Sequence, residues 1–263
     1  MWVGREILGP EDSASAAHRN WWDANSGDYL EEHGSDLGEV SFSWGPEGLL
    51  EDDAHILGDI AGKRVLEFGC GGAQCSRALA LEGGDVVATD ISPRMLMAAQ
   101  ELNERHGVGF PLVAADVLNM PFADSSFDIA FTSFGALPFV EDLEAAYREI
   151  ARVLRPGGTL AYSTPHPTRW MFPDSPTRDA MTVTTSYFDG RAYVERDSAG
   201  ALDYVEFPHT LAEHSAALAS AGFTIERLWE PEWPEGRTLV WGGWGPERSP
   251  WIPGTLIVRA RKL

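Results

Sequence analysis

Glu67, Gly69, Gly71 and Asp90 are the residues whose types and spacing most directly allow chemistry. The apolar run Val65-Leu66 leads into Glu67-Phe68-Gly69-Cys70-Gly71-Gly72, and a helical pattern follows. That order reads as a strand, a tight loop and a helix whose N-terminal amides face a ligand. Glycine in such a loop lets the backbone approach the ligand, because a Cβ would block it. A second apolar strand follows and ends in Asp90, 19 residues after Gly71. A carboxylate at that place can accept hydrogen bonds from both hydroxyls of a ribose. The combination predicts a nucleoside-bearing cofactor.

A dinucleotide fingerprint needs a third small residue three places after Gly71, where helix and strand pack closely. Gln74 stands there instead. Further along come Asp90-Ile91-Ser92-Pro93-Arg94-Met95-Leu96, Ala114-Ala115-Asp116, Met120-Pro121-Phe122 and Leu154-Arg155-Pro156-Gly157-Gly158. Together with Val65 to Gly71, these segments resemble the class I S-adenosylmethionine-dependent methyltransferases, in the branch acting on small molecules. The resemblance is close from Gly62 to Ser163 and loose elsewhere.

The resemblance implies S-adenosylmethionine as cofactor and assigns roles around it. The backbone of Gly69 and Gly71 flanks its methionine portion, Cys70 and Phe134 are further cofactor-binding candidates, Phe134 also a candidate aromatic wall, and Glu67 sits near its ammonium group; the alternative for Glu67 is a capping carboxylate. Asp90 holds the ribose, and Ile91 and Met95 pack on the adenine. Asp116 accepts from the adenine amino group beside the Val117 amide; the alternative is a turn-forming aspartate. Tyr29 falls in a Trp-Asp-x-x-x-x-x-Tyr segment similar to the one that closes over the cofactor in this family.

Methyl transfer from a sulfonium is an in-line displacement, so the protein must chiefly align the reactants and exclude water. An oxygen or protonated-nitrogen acceptor also needs a base titrating near neutrality, which points to histidine. Of seven histidines, His166 lies in Ser163-Thr164-Pro165-His166-Pro167, just past a strand at the edge where open α/β sheets bind ligands. His209, in Phe207-Pro208-His209-Thr210, is the second candidate. The alternatives are a histidine bonding the loop backbone for His166 and a helix-start neighbour for His209. Trp22, Trp44, Phe139 and Trp170 are candidate acceptor walls, suited to a planar metabolite or to an amine through cation–π contact. No cluster has metal-ligand spacing, so a metal-free mechanism is expected.

These residues need a scaffold of alternating strands and helices. Strands are expected at Arg64 to Phe68, Val86 to Thr89, Phe110 to Ala114, Phe127 to Thr132 and Thr159 to Ser163. Helices fall between them, one opened by the Ser92-Pro93 cap. Ala14 to Glu32 reads as a helix. From Pro165 to Pro208 the alternation fails, and Met181 to Phe188, Ala192 to Arg196 and Tyr204 to Phe207 look like short antiparallel strands, the place for a substrate lid. Helix Thr210 to Ala221 and strands Phe223 to Trp229 and Thr255 to Ala260 end the chain. The fold class is α/β, doubly wound, with a mostly parallel sheet. The resemblance implies seven strands with the last antiparallel. One domain is expected: an N-terminal helical cap over 1–60, a cofactor core over 62–164, a β-rich lid over 165–209, and the rest of the core over 210–263.

Forty acidic against twenty basic residues give a net charge of −20. That field repels phosphate backbones and anionic bilayers, so neither nucleic acid nor membrane is an expected partner. The N-terminus lacks the pattern of a signal peptide, and Cys70 and Cys75 read as free thiols. A cytoplasmic monomer or homodimer is expected. Three functions compete: methyl transfer to O, N or C of an aromatic or natural-product-like metabolite, a cofactor-binding role without methyl transfer, and a nicotinamide-dependent oxidoreductase.

Overall fold

Most segments with a helical or strand period form their element in the computed structural model, which describes residues 2–263. In chain order the strands are β1 (Trp2–Glu6), β2 (Arg64–Phe68), β3 (Asp85–Asp90), β4 (Leu112–Ala114), β5 (Phe127–Ser133), β6 (Leu154–Pro165), β7 (Ala192–Arg196), β8 (Leu202–Glu206), β9 (Phe223–Trp229) and β10 (Thr255–Lys262). The α-helices are α1 (Ala14–Leu37), α2 (Glu51–Ala54), α3 (Gln74–Leu81), α4 (Pro93–His106), α5 (Leu143–Val153) and α6 (Leu211–Ser220).

Seven strands form one sheet in the order β4-β3-β2-β5-β6-β10-β9. The pairs from β4 to β6 are parallel, and β10 runs antiparallel to both its neighbours. This is the expected seven-stranded sheet with an antiparallel last strand. β2 and β5 lie buried between helices on both faces, which is why their sequences are almost continuously apolar. α5 turns Leu143, Ala146, Tyr147, Ile150 and Val153 to the sheet, a spacing that places them on one helical face. The Ser92 hydroxyl accepts from the Met95 amide and starts α4.

Two expectations are corrected. β6 begins at Leu154, not Thr159, because Leu154 already pairs with Phe127 as α5 ends. The segment from Met181 to Phe188 is not a strand. It is largely exposed and has no pairing partner, and strand propensity without a partner does not hold an extended backbone. The third strand beside β7 and β8 is instead β1, from the other end of the chain, giving an antiparallel sheet β1-β7-β8. Arg196 of β7 fixes it by pairing with Glu6 and Asp12.

α1 packs against both α4 and β8, so it bridges the core and the small sheet. The two sheets and α1 enclose the C-terminal edge of the parallel strands.

Candidate active site

The site lies at the switch point of the large sheet, where β2 has β3 on one side and β5 on the other. Loops leaving β2 and β5 diverge there and open a crevice. They also touch. Gly69 has φ +67°, and a Cβ on it would stand 2.9 Å from the Ala136 amide nitrogen. Only glycine satisfies both the left-handed backbone and this approach. Behind the loop, Arg77 is fully buried and donates to the carbonyl of Gly72, the carbonyl of Glu39 and the side chain of Asn103. It pins the glycine turn from below, a role that its place in a helix did not reveal.

Two buried carboxylates face the crevice. Asp90 accepts from the Gly71 amide through Oδ2 (2.8 Å) and from the Ser92 amide through Oδ1 (2.9 Å). Each oxygen keeps a lone pair for a ligand hydroxyl. Burial pushes this carboxyl above its ordinary range, and the two amides oppose the shift. Glu67 accepts from the Ser76 amide and hydroxyl through Oε2. Burial pushes it up to about 7, so it ionises readily only when a cation is close.

Asp116 closes a turn by accepting from the Leu118 amide (2.9 Å) and holds the Ser15 hydroxyl of α1 at 2.6 Å. Phe134 follows β5 with φ +58°, a conformation that costs a bulky residue energy and recurs at functional sites. Its ring meets the edge of Trp244 at 5.4 Å.

One cavity of about 760 Å³ joins these groups. Tyr29, Glu67, Gly69, Cys70, Gly71, Asp90, Ile91, Met95, Asp116, Val117 and Phe134 all line it, as do Trp22 and Phe139. The size and the aromatic walls suit a nucleoside cofactor together with a second small molecule.

Four other candidates lie off this cavity. Trp44 is sealed in the core against Phe42 and Phe131, its indole N–H donating to Glu51 (2.8 Å). Trp170 is buried beneath the guanidinium groups of Arg5 and Arg169. His209 spends Nε2 on the Val140 carbonyl at 2.7 Å. His166 accepts the Thr168 amide on Nδ1, and its Nε2 stands 2.9 Å from Glu230 Oε1, an ion-pair contact without the alignment of a hydrogen bond. Its flanking prolines fix the backbone, but the ring meets Glu230 and does not line the cavity.

The structure adds residues that the sequence did not single out. His18, Trp21 and His33 come from α1, and Tyr204 and Glu206 from β8. Arg169 also borders the cavity, with Nη1 3.3 Å from Glu206 and Nη2 3.4 Å from Asp174. Trp241 and Trp244 arrive on the long connection between β9 and β10, Trp241 stacking on His33 at 4.3 Å. Among the described residues no group of three or more His, Cys, Asp or Glu could hold a metal ion, and no helix is long and apolar enough to cross a membrane. Cys70 and Cys75 are free.

Comparison with known proteins agrees with this geometry. A family model described as a methyltransferase domain matches residues 66–162. The solved S-adenosylmethionine-dependent methyltransferase of Mesorhizobium loti is 28% identical, with a TM-score of 0.62, covering 83% of this chain and 100% of that one. Residues 66–162 thus match a methyltransferase domain, and the chain has the fold of S-adenosylmethionine-dependent methyltransferases. A demethylmenaquinone methyltransferase of Corynebacterium kroppenstedtii is 43% identical over 107 residues, covering 40% of this chain and 44% of that protein. The chain spans about half the length of the curated relatives it matches. A Burkholderia thailandensis 1,6-didemethyltoxoflavin-N1-methyltransferase, solved with 1,6-didemethyltoxoflavin and S-adenosylhomocysteine bound, shares the fold at 20% identity and a TM-score of 0.57, covering 99% of this chain and 94% of that one.

Proposed function

We propose that this protein transfers the methyl group of S-adenosylmethionine to a small-molecule acceptor by in-line displacement. The observation that carries the reading is the single continuous cavity, in which Glu67, Asp90 and Asp116 share one space with an aromatic chamber. The cofactor supplies an electrophilic methyl on a sulfonium. Glu67 would face its ammonium, Gly69 to Gly71 and Phe134 would flank the methionine portion, and Asp90 would take the ribose. Ile91 and Met95 would pack on the adenine, with Asp116 and the Val117 amide at its edge. Trp22 and Phe139, joined by Trp21, Tyr204 and Trp244, would hold the acceptor.

The chamber favours a planar acceptor that is neutral or cationic. Glu206, Asp174, Glu141 and Asp142 line it against Arg169 and Arg237, a balance that repels an anion. The enclosed shape and the charge of −20 both argue for a small molecule over a nucleic acid. A demethylmenaquinone-like acceptor is a second reading, supported by the relatives of that name. Incubation with cofactor carrying a labelled methyl and a library of phenols, amines and quinols tests the proposal. Label should move into one compound class as S-adenosylhomocysteine accumulates. Cofactor binding without label transfer to any compound would favour a binding role alone.

A further inference from the structure

Resting on the methyl-transfer reading above, we infer that His18 of α1 is the base that takes the acceptor's proton. Its ring is buried, yet it lines the cavity, edge-on to Phe139 with centroids 5.1 Å apart. Nε2 lies 2.9 Å from the carbonyl oxygen of Val205 on β8. A carbonyl can only accept, so Nε2 carries the hydrogen and the neutral ring keeps its lone pair on Nδ1. Nδ1 makes no hydrogen bond among the described residues, and the ring borders the cavity. It is a fixed, unspent proton acceptor on the cavity wall.

The other histidines are placed differently. His166 and His209 have ring nitrogens committed to Thr168 and Val140 and lie off the cavity. The Nδ1 of His214 is shared by the hydroxyls of Tyr147 and Tyr162. His33 lines the cavity but lies face to face with Trp241, the ring centroids 4.3 Å apart.

In the step, the acceptor's lone pair forms the bond to the methyl carbon and the carbon–sulfur pair returns to sulfur. The acceptor's proton passes to Nδ1, and the imidazolium then releases it to water. The surroundings keep the ring ready for this. Burial lowers its pKa, opposed by the Val205 carbonyl and by Asp116, the charged group acting on it, while Phe139 is apolar. His18 is therefore neutral at pH 7 and able to accept.

His18→Gln retains an N–H able to reach the Val205 carbonyl and removes the basic lone pair, so it separates catalysis from structural support. Two readouts test the inference. In the wild-type protein with S-adenosylhomocysteine bound, nitrogen-15 spectra should show a His18 ring protonated on Nε2 and titrating below 6.5. A ring protonated on Nδ1, or charged at pH 7, overturns it. The second readout is S-adenosylhomocysteine formation across phenols and thiols graded in acidity. With weakly acidic phenols His18→Gln should turn over roughly 10²–10⁴-fold more slowly and lose the acid limb of the pH profile. With acceptors already ionised at the assay pH it should stay within about threefold of wild type, since no proton then needs a base. Equal losses for both acceptor types, or none for either, overturn the assignment. Loss of cofactor binding by wild type in calorimetry would instead refute the underlying reading. Cofactor binding with no turnover of any member of the series would remove the need for a base and overturn the role of His18 alone.

Discussion

Gly69 and Gly135 meet at the mouth of the sheet: a Cβ on Gly135 would stand 2.3 Å from the Gly69 carbonyl oxygen. The loops after β2 and β5 are thus fixed against each other before any ligand arrives. Because the obstacle is backbone, no rotamer relieves it. Gly135→Ala should destabilise the protein by about 1–3 kcal/mol, the usual cost of overpacking, and weaken cofactor binding with it. Thermal unfolding and calorimetry check this. Unchanged values for both would mean that the two loops separate freely.

Glu67 makes cofactor binding proton-linked. Its carboxyl stands at about 7 against an ordinary 4.5, so near neutrality a good part of the unliganded protein carries the proton there. An ammonium placed beside it favours the ionised form, so binding should expel the proton. Affinity should fall as the pH drops below 7, by up to about tenfold per unit. Calorimetry in buffers of different ionisation enthalpy measures the released proton, and Glu67→Gln should abolish it. The same raised carboxyl has a stability consequence without ligand. Its contribution is fully present below about 4.5 and is lost as the pH rises through 7. Affinity independent of pH, with no proton released, would place the ammonium elsewhere.

α1 and the small sheet should act as the closing element. Within the helix only Ala17 and His18 are buried, and Gly27 and Gly34 each cost about 1 kcal/mol relative to alanine. Hydrogen exchange should therefore be fast across α1 and β8 in the unliganded protein. It should slow when S-adenosylhomocysteine and an acceptor are both present. Equal protection in the two states would describe a rigid roof.

The core was legible because its elements are local. β2 spans the expected Arg64 to Phe68, since a strand buried on both faces writes itself as a continuous apolar run. The glycine loop and the cap at Ser92 were readable for the same reason, each depending on neighbours a few residues away, and Asp90 was readable from its place at the end of the next apolar strand. The small sheet was legible only in part. β1 pairs with residues some 190 positions away, and nothing local in Trp2 to Glu6 announces that partner. Trp241 and Trp244 reach the cavity on a connection without period. His166 and His18 show the remaining limit. Sequence places His166 correctly at the sheet's edge, but the direction of a ring depends on what packs around it. His18 sits among alanines in an ordinary helical stretch, and only the fold brings Val205 to its Nε2.

The most direct test of methyl transfer uses S-adenosylmethionine bearing a trideuteromethyl group. Mass spectrometry follows acceptor and S-adenosylhomocysteine together in a small-molecule library. One acceptor class should gain the intact trideuteromethyl group in one-to-one proportion with S-adenosylhomocysteine. Asp90→Ala should suppress the reaction at limiting cofactor, with affinity weakened by about 1.5–3 kcal/mol through the lost charged hydrogen bonds. Cofactor that binds tightly yet yields no deuterated acceptor, or a reaction indifferent to Asp90→Ala, would rule out methyl transfer from this site.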